Sequence, residues 1–62
     1  MKRYRFKVCK RLVRTYRKMM KSLGAEKIIV VKEEMMYFST DDIFKVERHF
    51  NKLGIKLTEV KQ

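Results

Sequence analysis

Lys2-Arg3-Tyr4-Arg5-Phe6-Lys7-Val8 is the stretch on which the fold turns. Tyr4, Phe6 and Val8 alternate with Arg3, Arg5 and Lys7. That period of two marks a strand with one apolar and one basic face. Phe6 also falls in step with a helical stripe further along, and no Gly, Pro or Asn separates the two patterns. The alternation predicts a short strand over residues 2–8. The competing pattern would fuse the segment to the helix behind it.

From Cys9 onward the apolar residues stand at 9, 12, 13, 16, 19, 20 and 23. This spacing predicts a helix whose buried face is Leu12, Val13, Tyr16, Met19, Met20 and Leu23, with Cys9 on the same buried stripe. Gly24 follows the last apolar position, where a left-handed C-terminal cap belongs. Lys18 and Lys21 suit the negative end of the helix dipole.

Beyond Gly24, Ile28, Ile29, Val30 and Val31 are β-branched on both faces, which predicts a strand covered on both sides. Met35 to Ser39 reads as its hairpin partner. Lys32, Glu33 and Glu34 join them, and without the Asn or Gly that tight turns favour, a looser turn is expected. Ser39 and Thr40 ahead of Asp41 and Asp42 signal a second helix, with a hydroxyl cap and acids in the first turn. Ile43, Val46, Phe50 and Leu53 form its buried stripe, and Gly54 ends it. Ile55 and Leu57, alternating with Lys56 and Thr58, read as a final strand.

The expected order is βαββαβ: an α+β fold, a small antiparallel sheet with two helices on one face. This resembles the ferredoxin-like arrangement in element order alone. The alternative, if residues 2–8 are helical, is αββαβ with a long N-terminal helix. Either way the 62 residues form a single domain, 1–62. A chain this short buries only about 60% of its unfolded surface. A shared fold does not assign a function, so function must be read from particular residues.

The formal net charge is +10, and it is segregated. Residues 1–25 carry Lys2, Arg3, Arg5, Lys7, Lys10, Arg11, Arg14, Arg17, Lys18 and Lys21 with no acid, whereas residues 26–62 balance seven bases against seven acids. A surface serving only solubility would intersperse both signs. Unopposed cations repel one another, and a polyanion would relieve that strain. On the first helix, positions 11, 14, 18 and 21 line up in one row of about 15 Å, flanked by Lys10 and Arg17. Contact with about five phosphates would give log affinity a slope near −4 or −5 against log salt. Arg3, Arg5 and Lys7 add a basic row on the sheet, with Tyr37 beside it as a stacking platform for unpaired bases. Lys45, Arg48 and Lys52 on the second helix form a shorter row, partly neutralised by nearby acids and expected to be solvated.

Other chemistries find little here. Cys9 and His49 are too few ligands for structural zinc. One cysteine forms no internal disulfide and fits a reducing, cytoplasmic setting. Asp41 and Asp42 are explained by a helix start. Apolar runs such as Ile28 to Val31 fall far short of the roughly 20 residues of a membrane span, so no integral membrane association is expected. No nucleophile, phosphate-binding loop or dinucleotide motif is readable, and neither enzymatic activity nor a cofactor is expected. The leading expectation is a non-enzymatic nucleic-acid-binding protein, for DNA or RNA. The alternatives are a protein-interaction module docking on an acidic partner, with homodimerisation through the apolar 28–31 strand, and a basic helix lying on anionic lipid.

Overall fold

A computed structural model describes residues 2–61 of the chain. Strand β1 (Lys2–Lys7) leads through an extended Cys9 and a 3-10 turn (Lys10–Leu12) into helix α1 (Val13–Ser22). Strands β2 (Glu26–Val31) and β3 (Met35–Thr40) form a hairpin, followed by helix α2 (Ile43–Leu53) and the short strand β4 (Thr58–Val60). The sheet is antiparallel throughout, in the order β2-β3-β1-β4. β1 and β2 therefore run parallel with β3 between them, and β3 and β4 run parallel with β1 between them.

The strand over the first residues is present, and the αββαβ alternative is overturned. Its side chains alternate as the pleat demands: Tyr4 and Phe6 are buried, Arg5 and Lys7 exposed. Phe6 is the meeting point of the core. Its ring lies 5.6 Å from Tyr16 of α1 and 4.8 Å from Phe50 of α2, both edge-on. Since one β1 side chain touches both helices, the helices cover the same face of the sheet. Phe38, Met20, Met36 and Val46 complete the fully buried set. Each such side chain stabilises the fold by about 1.5–3 kcal/mol relative to exposure.

Gly24 (φ 83°) takes the left-handed conformation expected after α1. The Gly24 N–H donates to the Lys21 carbonyl, and the Ala25 N–H to that of Met20 (3.1 and 3.0 Å). This paired closure satisfies carbonyls the helix itself leaves open.

Several local expectations are corrected. Helix α1 begins at Val13 rather than Cys9, because Cys9 is extended (φ −77°, ψ 139°) and Lys10–Leu12 wind as a 3-10 turn. Cys9 is consequently exposed and Leu12 is 37% exposed, so neither sits on the buried stripe. The 32–34 connection is tight, not loose. Lys32 and Glu33 both adopt positive φ (53° and 56°), and the Glu34 N–H closes on the Val31 carbonyl at 3.1 Å. That is the backbone sense of a primed hairpin turn, made without Gly or Asn.

The second helix is capped by Asp42, whose carboxylate accepts from the Lys45 N–H (3.2 Å). Ser39 and Thr40 belong to β3, with Thr40 Oγ1 accepting from the Asp42 N–H (3.2 Å). Leu53 is 52% exposed and leaves the α2 stripe to Ile43, Val46 and Phe50. Finally, Ile55 and Leu57 pack against the core as irregular chain, and the pairing strand is Thr58–Val60.

Candidate nucleic-acid interface

The fold sorts the N-terminal cations onto different surfaces. At about 100° per residue, Arg14, Arg17, Lys18 and Lys21 fall within an arc of about 100° on the outer side of α1. All four are exposed, while Val13, Tyr16, Met19 and Met20 turn inward. Arg11 is exposed too, but it belongs to the 3-10 turn, where three residues complete a turn. The helical row is thereby shortened to 14, 18 and 21, about 10 Å long rather than 15 Å.

Lys10 is removed from the unopposed set. Its Nζ lies 3.2 Å from Glu33 Oε2 across the tight hairpin turn, with both side chains largely exposed. Such a surface pair contributes under about 1 kcal/mol, yet it cancels one charge of the row. Among the described residues, no other cation of the N-terminal ten has a carboxylate within ion-pair distance. Glu26 lines the same shallow cleft as Arg17 and Lys21 without reaching either.

Arg3, Arg5 and Lys7 lie on the opposite side of the sheet. The register places Arg5 between Tyr37 and Thr58, Lys7 beside Met35, and Arg3 between Ser39 and Val60. On β2, Ile29 and Val31 pair with Tyr37 and Met35 and complete this face. No helix packs there, so within one chain Ile29 (51%) and Val31 (42%) are exposed, and the chain itself does not supply the second covering expected on β2.

Arg3 does structural duty on this face. A bulge in β2 sets Lys27 and Ile28 against the single residue Phe38, with Lys27 at φ 51°. Arg3 Nη1 donates to the Lys27 carbonyl (3.3 Å) and to Ser39 Oγ (3.0 Å), and its guanidinium lies over the Tyr37 ring, 5.8 Å from the centroid. It clamps β1, β3 and the β2 bulge together. Arg5 and Lys7 remain exposed.

The expected site residues thus divide into two surfaces: α1 with Arg14, Arg17, Lys18 and Lys21, and the sheet with Arg5, Lys7 and Tyr37. The apolar 28–31 strand noted in the sequence contributes Ile29 and Val31 to the open face. Sequence reading missed Phe44, 76% exposed in the first turn of α2.

No protein-family model matches the chain, and neither a curated protein nor a solved structure shows significant similarity to it. No helix among the described residues is long and apolar enough to cross a membrane.

Proposed function

We propose that this protein is a non-enzymatic nucleic-acid-binding domain that holds a phosphate backbone against the outer face of α1. One observation carries the reading: Arg14, Arg17, Lys18 and Lys21 share an exposed face and make no ion pair among the described residues. Arg supplies a planar fork for phosphate oxygens and Lys a mobile point charge. The residues suit backbone contact and carry little base readout, so sequence preference is weak. We also read the βαββαβ order, with its sheet order β2-β3-β1-β4, as the ferredoxin-like arrangement.

The test is fluorescence anisotropy with a DNA duplex and a structured RNA over a salt series. Four phosphate contacts give a slope of log affinity against log salt near about −3.5 on B-DNA. Arg14, Arg17, Lys18 and Lys21 changed together to Gln should keep the fold and lose most of that slope. Unchanged affinity in this variant overturns the reading.

A second reading is favoured by Phe44. An aromatic this exposed, with Lys45, Glu47 and Arg48 near it on its helix and Lys2 and Asp41 lining the same hollow, is the kind of anchor found at protein interfaces. On that reading the domain docks on an acidic protein, and capture of a partner survives nuclease treatment.

A further inference from the structure

We propose that the open sheet face is a second, separate site, one that takes unpaired nucleotides. It deepens the nucleic-acid reading and rests on it. α1 and α2 both pack on the Tyr4–Phe6 side of the sheet, so the α1 cations and the Arg5–Lys7 row point away from each other. The domain measures 27 × 27 × 19 Å along its principal axes. A single rigid duplex lying on one basic surface leaves the other uncovered.

The two surfaces also differ in chemistry. The α1 face is cationic and polar. On the sheet, Arg5 and Lys7 of β1 border Tyr37 and Met35 of β3, and Ile29 and Val31 continue the apolar ground onto β2. A duplex offers such a surface only sugar and phosphate, leaving the apolar residues unmatched. An unpaired strand offers both parts: base faces for Tyr37 and its aliphatic neighbours, phosphates for Arg5 and Lys7. Tyr37 is already held in place by the Arg3 guanidinium, which is bonded to Ser39 and Lys27. A base arriving there therefore meets a preset pair, and can stack on the guanidinium plane that lies over the Tyr37 ring.

A second copy of the chain is the competing occupant of this face. Pairing two such faces about a two-fold axis would bring both Arg3-Arg5-Lys7 rows into one desolvated layer. Against them the face sets Glu26 at the β2 corner, with Glu33 and Glu34 bordering Lys7 at the hairpin end and Glu33 already paired with Lys10. Buried like charges of that kind are strongly unfavourable. A polyanion removes the conflict instead of creating it.

The experiment compares labelled oligothymidine with a blunt duplex, using variants confined to each face. Arg5→Gln with Lys7→Gln alters two exposed side chains and tests the phosphate contacts without touching the core. Tyr37→Leu tests stacking, and Tyr37→Phe should restore it. Sheet-face variants should weaken oligothymidine binding roughly tenfold and leave duplex binding unchanged. The four-residue α1 variant should do the reverse. Quenching of tyrosine fluorescence by oligothymidine should disappear in Tyr37→Leu while persisting in the α1 variant. Equal weakening of both probes by both sets of variants overturns the two-site division. So does oligothymidine affinity that ignores Arg5, Lys7 and Tyr37, and a wild-type dimer dissolved by Ile29→Lys with Val31→Lys would then assign the face to a second copy. In these cases duplex binding through α1 still stands. Wild-type protein that binds neither probe at low salt removes both proposals together.

Discussion

Arg3 lies across Tyr37, its Cζ 5.8 Å from the ring centroid, while the same guanidinium reaches Ser39 Oγ at 3.0 Å. The residue spans three strands from its seat on β1, because the bulge at Lys27 turns a β2 carbonyl toward it. An arginine that reads from the sequence as one more phosphate contact is also part of the sheet's internal bonding. Its neighbour Arg5, two positions on, has no such ties.

That contrast separates stability from binding. Arg3→Gln should destabilise the domain by about 1–2 kcal/mol, through lost hydrogen bonds and ring contact. Arg5→Gln should stay within about 0.5 kcal/mol of wild type, as surface changes commonly do. Urea denaturation of the two variants measures the difference. Arg3→Lys should resemble Arg3→Gln, since an ammonium cannot reproduce the fork.

The hairpin turn offers a gain. A non-glycine residue in left-handed conformation costs about 1–2 kcal/mol, and Lys32 and Glu33 are both there. Replacing them with Asn and Gly should raise stability by about 1–2 kcal/mol, even after loss of the weak Lys10–Glu33 pair. A higher midpoint in thermal melts would show it, and a lower one would contradict the turn geometry.

Helix α2 should depend on Asp42 and not on Ser39 for its start. Asp42→Ala should cost about 1 kcal/mol, the usual loss for a removed N-cap, and Asp42→Asn much less. Ser39→Ala should leave helix content unchanged and act only through Arg3. Circular dichroism with denaturation distinguishes these outcomes.

Self-repulsion on α1 predicts an unusual response to salt. Arg14–Arg17, Arg14–Lys18, Arg17–Lys21 and Lys18–Lys21 are like-charge pairs three or four apart, and together they cost about 1 kcal/mol on a helix. The four-residue Gln variant should therefore melt higher than wild type at low ionic strength. The gap should close as added salt shortens the screening length. A gap that ignores salt would place the effect elsewhere.

The sequence revealed most where one physical demand acted alone. Tyr4, Phe6 and Val8 alternate because one side of β1 is sealed by helices, and no helical pattern accounts for Arg3, Arg5 and Lys7. Gly24 announced its φ because L side chains rarely take it. Reading failed where two demands overlapped: Cys9 and Leu12 fit the helical stripe by number, yet the chain leaves the sheet extended and enters α1 by a 3-10 turn. What covers Ile29 and Val31 was not legible for another reason. Apolar composition states that a side chain avoids water, not that the monomer supplies the cover. The role of Arg3 was invisible because its partner is a backbone carbonyl, aimed by a bulge that side-chain pattern does not record.

The irregularity at Lys27 has a consequence for how the chain behaves in crowded solution. β2 is an outermost strand, six residues long and rich in Ile and Val, the kind of border along which proteins add to one another into fibres. A kink near its start, with one carbonyl already claimed by Arg3, spoils the even spacing that a self-templating filament would copy. On that ground loss of the clamp in Arg3→Gln should make this edge more prone to propagate, read as faster fibre formation than wild type.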